Sequence, residues 1–137
     1  MDAVLQSLIA GLPVFILHSA VTLAMLAGAI GLYVLSTPYR DIKLIRDGNI
    51  AAAISFSGAV IGLALPLAFC MAASVSVWDI VLWGLVTLLL QIVAFRLTDL
   101  LLRDLPRRII DGEIGPALVL VAIKLAVALI NAAAVSG

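Results

Sequence analysis

Long apolar stretches alternate with short charged segments along the whole chain. A helix needs about 20 residues to cross the hydrocarbon core of a bilayer, which is ~30 Å thick. Four stretches reach this length and predict four transmembrane helices, at residues 5–35, 50–73, 78–102 and 114–135. The first is too long for an upright crossing, so we expect a kink or an interfacial segment around Gly11-Leu12-Pro13, with the span beginning near Pro13.

Composition and net charge narrow the class of protein. The chain has 137 residues, 65% of them hydrophobic and 12% charged, whereas soluble domains are about half apolar and a quarter charged. Its formal net charge is zero, which excludes a nucleic-acid partner, since such binders carry a basic surface. Cys70 is the only cysteine, so neither an internal disulfide nor a multi-cysteine metal site is expected. The expected partner is the lipid bilayer.

Basic residues indicate how the chain is oriented. Every lysine and arginine except Lys124 lies between the first and second spans or around the end of the third span and the loop after it: Arg40, Lys43, Arg46, Arg96, Arg103, Arg107 and Arg108. The positive-inside rule therefore puts both charged loops in the cytoplasm and both termini outside.

The segment that leads into the second span recurs 64 residues later. Residues 45–53, IRDGNIAAA, align with residues 109–117, IIDGEIGPA, and five of the nine positions are identical. Because each copy contains two spans, the two copies are expected to have parallel topology. The sequence thus predicts one all-α membrane domain of four transmembrane helices, built as two tandem helical hairpins at about residues 1–73 and 74–137.

Each copy carries an Asp-Gly pair just before its second span. Glycine can adopt a positive φ in a tight turn, and the polar side chains around it can accept from the free N–H groups of the next helix. This pattern predicts helix caps at Asp47, Gly48, Asn49, Asp111, Gly112 and Glu113. The alternative is that the two loops together form one cytoplasmic polar site for an ion or a partner protein, and capping is favoured because the spacing does not match that of metal ligands.

Small residues predict that the second span is the central packing helix. Gly58 and Gly62 form a Gly-x-x-x-Gly motif on a stripe that continues to Pro66, and small residues let transmembrane helices approach closely. Pro66 has no N–H and leaves the carbonyl of Gly62 without its usual partner. Such a break can form an ion site, but it is more often a structural kink.

Lys124 is the most unusual residue in the sequence. It lies ten residues into the fourth span, where an unpaired charge costs at least ~3 kcal/mol. Glu113, Lys124 and Asn131 fall within about 20° of one another on that helix, so they form a polar stripe that should face protein or water.

No carboxylate is expected at the depth of Lys124, because Asp99 and Asp79 are predicted at the two interfaces. Lys124 should therefore be uncharged, hydrated in a cavity, or hydrogen-bonded to Gln91, His18 or free backbone carbonyls. The alternative is a lysine that extends its stem to the interface or pairs with an acid across an oligomer contact. The candidate intramembrane polar site comprises Lys124, Asn131, Gln91 and His18.

The remaining polar residues do not suggest catalysis. Arg96 and Asp99, three residues apart, are typical of an ion pair at a helix end. The sequence offers no nucleophile and base pair, no glycine-rich phosphate loop and no metal-ligand cluster. We expect no enzyme activity, no metal and no cofactor.

The chain also resembles a known family. Residues 37–67, TPYRDIKLIRDGNIAAAISFSGAVIGLALPL, resemble the YjfL-like family of small bacterial inner-membrane proteins of unknown function, and the similarity continues to INAAA at residues 130–134. Family members are similar in having duplicated two-helix units with an Asn before an Ala-rich helix, as at Asn49. The sequence departs from this pattern at Glu113, where Asn is frequent, and at Lys124, where the family usually has a small or apolar residue. The resemblance implies a bacterial inner-membrane location, and roles in ion passage or as a membrane partner.

Two functions fit these observations. The first is a homo-oligomeric ion channel or small transporter, suggested by the repeat, the small-residue interfaces and the polar stripe at Lys124. The second is a non-catalytic membrane anchor or partner subunit that docks a cytoplasmic or membrane protein through its two charged loops, residues 40–49 and 103–113.

Overall fold

A computed structural model describes residues 1–37 and 41–137, so the basic residue Arg40 lies outside the described part of the chain. Every regular element in the described ranges is a helix: α1 (Asp2–Ser36), α2 (Asp41–Arg46), α3 (Ile50–Ala73), α4 (Val77–Leu101), α5 (Asp104–Ile110) and α6 (Ile114–Ser136). Four of them, α1, α3, α4 and α6, are long and apolar enough to cross a membrane. The prediction of an all-α fold with four spans is confirmed.

The first apolar stretch forms one continuous helix. Helix α1 is 35 residues long, about 50 Å, and it continues from Asp2 through Pro13 to Ser36. A proline removes one backbone hydrogen bond from a helix. The other backbone hydrogen bonds keep the helix intact, because lipid offers the backbone no alternative partner. Residues 2–17 are exposed, and α1 buries residues only further along, at Ala29 and Tyr33.

Helix α3 lies at the centre of the bundle and packs most extensively against α6. A Cβ added to Gly58 would lie 2.6 Å from both methyl groups of Val121 on α6. A Cβ added to Gly62 would lie 2.7 Å from Cζ of Phe95 on α4. The absence of side chains at these two positions is what lets α3 approach both neighbours, and Pro66 is buried on the same helix.

The two Asp-Gly turns have the same backbone structure. Gly48 has a φ of 89° and Gly112 a φ of 83°, the conformation that favours glycine. The amide of the following residue bonds back to a carbonyl in the preceding short helix, from Asn49 to Leu44 at 2.9 Å and from Glu113 to Arg108 at 3.1 Å. Each turn therefore ends one short helix and starts a long one, as in a Schellman motif.

The side chains at the two turns differ, and the predicted cap is present at only one of them. Asn49 Oδ1 accepts from the Ala52 amide at 3.0 Å, while its Nδ2 donates to the carbonyl of Ile109 at 2.9 Å. Glu113 does not cap α6, because its carboxylate accepts two hydrogen bonds from Arg108, at 2.8 and 2.9 Å. A bidentate guanidinium pair is stronger than a single amide bond. Asp47 and Asp111 are exposed.

Candidate functional site

Two ends of the bundle must be distinguished. We call the end that carries α2 and α5 the loop end, and the end where residues 74–76 join α3 to α4 the terminal end. Helix α4 runs from the terminal end to the loop end, and α6 runs the opposite way.

Lys124 forms a buried ion pair with Asp99. Its Nζ lies 3.0 Å from Asp99 Oδ1, and the two side chains are 1% and 8% exposed. The sequence places no carboxylate at the depth of Lys124, and the inference that the lysine lacks a carboxylate partner within the chain is wrong. Side chains lean towards the N-terminus of their own helix, so Lys124 on α6 leans to the loop end and Asp99 on α4 leans away from it. The long lysine stem spans the remaining difference in depth.

Arg96 holds the same carboxylate from the other side. Its Nη1 lies 3.0 Å from Asp99 Oδ2, the pair that the three-residue spacing predicts. Its guanidinium carbon lies 4.8 Å from the centre of the Tyr33 ring, and Nη2 donates to the Thr37 hydroxyl at 3.4 Å. One carboxylate thus lies between two cations.

Tyr33 of α1 contacts both cations. The side chain is fully buried, its hydroxyl accepts from Lys124 Nζ at 3.4 Å, and its ring centre lies 5.4 Å from the same nitrogen. An aromatic face attracts a nearby cation, and the attraction grows when water is excluded. The Tyr33 ring therefore packs between the buried ammonium of Lys124 and the partly buried guanidinium of Arg96.

Asp41, the first residue of α2, is also fully buried. Within the described ranges, neither of its carboxylate oxygens has a hydrogen-bond partner. The neighbouring hydroxyl of Thr37 donates its proton to the Tyr33 carbonyl at 2.6 Å instead. Burial raises the pKa of Asp41 from 3.8 to about 6, although the charges of Lys124 and Arg96 and the nearby Thr37 oppose this rise; the charge of Asp99 adds to it.

We refer to Tyr33, Asp41, Arg96, Asp99 and Lys124 as the charge cluster. It contains two cations and two carboxyl groups, contributed by α2, α4 and α6, and the tyrosine of α1. When Asp41 and Asp99 are both ionised, the formal charges sum to zero. A single proton that moves from Lys124 to Asp41 leaves this sum unchanged.

A second polar group lies nearer the terminal end. Asn131 Nδ2 donates to Gln91 Oε1 at 2.9 Å, which joins α6 to α4. Among the described residues, Gln91 Nε2 and Thr87 Oγ1 are buried and have no hydrogen-bond partner. A groove of about 550 Å³ reaches this region and is lined by residues that include Cys70, Ser74, Asp79, Thr87 and Asn131. The groove thus connects the terminal end with polar side chains inside the bundle.

Phe95 separates the two polar regions. Gln91, Phe95 and Asp99 follow one another at four-residue steps, so they share one buried face of α4. The Phe95 ring is fully buried, its centre lies 5.3 Å from Lys124 Nζ, and its tip faces Gly62. We call this short apolar barrier the Phe95 step.

The structure divides the candidate intramembrane site that the sequence suggests. Gln91 and Asn131 lie together on the terminal side of the Phe95 step, and Lys124 lies in the charge cluster on the other. His18 is half-buried on α1, its carbonyl accepts from Thr22, and no ion pair or hydrogen bond among the described residues joins it to Lys124. Sequence reasoning missed Asp41, Tyr33 and Phe95, although the four-residue spacing from Gln91 to Asp99 could have indicated Phe95.

The four apolar helices define a multi-pass membrane protein. A family model described as Domain of Unknown Function (DUF350) matches residues 7–135, so the chain belongs to that family. The chain is similar to the UPF0719 inner membrane protein YjfL of Escherichia coli strain K12 and to that of strain O157:H7. Each relative is 29% identical over 130 residues, which cover 95% of this chain and 96% of the relative. The resemblance to a YjfL-like family is thereby confirmed, and no solved structure matches the chain.

Proposed function

We propose that the protein moves a small ion across the bacterial inner membrane, as an oligomeric channel or small transporter. The observation that supports this function is the buried pair of Lys124 and Asp99, with Arg96 and Asp41 beside it. Intramembrane ionisable residues are costly, and they commonly belong to ion or proton pathways.

The arrangement of polar groups favours transport over a purely structural role. A buried ion pair stabilises a fold little or not at all compared with well-packed apolar residues, so stability alone does not explain it. The charge cluster and the Gln91–Asn131 pair form a row of polar side chains from the loop end towards the groove at the terminal end. The Phe95 step interrupts this row.

Assembly and orientation complete the proposal. Four helices are too few to enclose a comfortable pore, which favours several copies of the chain in one assembly. The basic residues of the loop end favour a cytoplasmic location for that end, with both termini in the periplasm. The charge cluster then faces the cytoplasm, and the groove faces the periplasm.

The alternative role as a docking subunit has weaker support. Asn49 and Glu113, the side chains on which a loop site would depend, already bond within the chain to Ile109, Ala52 and Arg108. These two side chains are therefore already occupied, whereas Lys43, Asp47 and Asp111 are exposed at the loop end.

Ion flux into liposomes that contain the purified protein tests the proposed function. We expect flux above that of empty liposomes for at least one of H⁺, K⁺, Na⁺ and Cl⁻, and a loss of most of it in Lys124→Met. Lys43→Met is the matched control, because Lys43 is exposed at the loop end. Equal leakage from empty liposomes and from liposomes containing the wild type, for all four ions, would overturn the proposal.

A further inference from the structure

We infer that the ion is the proton, and that Lys124 passes it across the Phe95 step between the charge cluster and the Gln91–Asn131 pair. This inference rests on the proposed function and narrows it to one transported species and one carrier residue.

Packing at the Phe95 step favours the proton. Phe95 is fully buried, and its ring lies so close to α3 that a single added methyl group at Gly62 would come within 2.7 Å of it. A hydrated metal ion needs an open passage through the protein. A proton needs only a group that can bind and release it and polar groups that can hold water beyond it. Lys124 and Asp99 lie on one side of the ring, and the amides of Gln91 and Asn131, which hydrogen-bond but do not titrate, lie on the other.

Lys124 is placed to act as the carrier. Its Nζ contacts Asp99 on the loop side and lies 5.3 Å from the centre of the Phe95 ring. Gln91 lies two helical turns from Asp99, about 12 Å along α4. The flexible four-carbon lysine stem covers part of that distance and releases its proton to water on the Gln91 side, whereas Asp99 is held from two sides by Arg96 and Lys124.

Asp41 is the group that exchanges protons with the loop side. Its pKa of about 6 allows it to bind and release a proton near neutral pH. The charged and polar groups that act on it come from two helices and the end of α1: Lys124 on α6, Arg96 and Asp99 on α4, and Thr37. Neither oxygen of Asp41 has a hydrogen-bond partner among the described residues.

One transfer cycle balances in protons and charge. The Lys124 ammonium breaks one N–H bond and releases the proton to water on the Gln91 side, which leaves a neutral amine. The Asp41 carboxylate takes up one proton from the loop side to become a carboxylic acid. Asp41 and Lys124 form no ion pair in the described part of the chain, so the acid then breaks its O–H bond and gives the proton to water within the charge cluster. That water gives a proton to the amine nitrogen, and both residues return to their charged forms. The net result is the movement of one proton, and Asp99 and Arg96 remain ionised throughout.

Lys124→Arg is the sharpest variant for this mechanism. Arginine keeps the positive charge and can still pair with Asp99, but it does not lose its proton in proteins. In liposomes that contain a pH-sensitive dye, under a potassium diffusion potential, we expect Lys124→Arg and Asp41→Asn to lower proton flux at least tenfold. Lys43→Arg, the exposed control, should match the wild type, and helix content and elution volume should show that each variant is folded.

The outcomes of this assay are distinguishable. Wild-type proton flux in Lys124→Arg would overturn the role of Lys124. Flux of K⁺, Na⁺ or Cl⁻ without proton flux would overturn the inference and leave the proposed function standing. No flux of any ion in the wild type would overturn both.

Discussion

Lys124 and Asp99 meet at 3.0 Å although Lys124 lies deep in α6 and Asp99 lies near the end of α4. The two helices run in opposite directions, so the tilt of each side chain towards its own N-terminus brings the two groups together. This contact explains how a lysine deep in a membrane-spanning helix is paired with a carboxylate.

Removal of one partner should destabilise the protein more than removal of both. Asp99→Ala leaves Lys124 without its partner carboxylate, and breaking a buried pair in this way costs about 3–5 kcal/mol. The double variant Asp99→Leu/Lys124→Met should recover part of that loss, because no unpaired lysine is then buried, although Arg96 still lacks its carboxylate partner. Thermal unfolding in detergent measures both, with Asp47→Ala at an exposed position as the control. A double variant as unstable as Asp99→Ala would contradict the pairing.

A methyl group at Gly62 should disturb the packing of α3 on α4. Gly62→Ala forces a Cβ to within 2.7 Å of the Phe95 ring, and overpacking of this kind costs about 1–3 kcal/mol. Gly28→Ala on α1 is the matched control, because nothing lies within 4 Å of the added Cβ and alanine favours a helix. The measurement is the unfolding temperature of both variants. Equal temperatures would show that α3 and α4 are not this close.

Asn49 should matter more to the fold than its counterpart Glu113. Asn49→Ala removes the cap of α3 and the bond to the Ile109 carbonyl, and the loss of a cap alone costs about 1 kcal/mol. Glu113→Ala removes only a solvent-exposed pair with Arg108, so its effect should be clearly smaller. Chemical denaturation of the two variants side by side checks the order. The reverse order would contradict the bridging role of Asn49.

Asp41 should make the protein less stable as pH rises from about 4 to about 6. The folded state binds the proton more tightly than the unfolded chain, because the pKa of Asp41 rises from 3.8 to about 6 on folding. The free energy of unfolding therefore falls by about 3 kcal/mol in total as pH rises through that window. Above it, this contribution is constant. Asp41→Asn cannot ionise and should lack this component.

Unfolding temperatures of wild type and Asp41→Asn, measured at pH 4, 5, 6 and 7, isolate this effect from that of the other acids. The difference between the two proteins should change between pH 4 and 6 and stay level from 6 to 7. A difference that is constant over the whole range would show that Asp41 is not buried as a neutral acid.

The spans could be predicted from the sequence because hydropathy alone determines where a helix can sit in lipid. The positive φ of Gly48 and Gly112 could also be predicted, since a tight turn beside a helix start favours that residue. The unbroken course of α1 through Pro13 could not be predicted, because a proline weakens a transmembrane helix without ending it.

The charge cluster could be predicted only in part. Lys124 could be identified as a charge within a predicted span. The Arg96–Asp99 pair could be identified from its three-residue helical spacing. Their contact depends on side-chain lean and on the relative rotation of α4 and α6, which sequence patterns do not specify. Asp41 was missed because it lies in a charged loop, where exposure is the usual expectation, and it is buried only by tertiary packing. The Gln91–Asn131 bond also depends on the helix pairing.

The most direct test of the whole account is proton flux measured in parallel with K⁺, Na⁺ and Cl⁻ flux in liposomes that contain the wild-type protein. We expect proton flux well above that of empty liposomes, and little movement of the other three ions. Flux of another ion without protons would contradict the proton mechanism, and no flux of any of the four would contradict the assignment of a transport function.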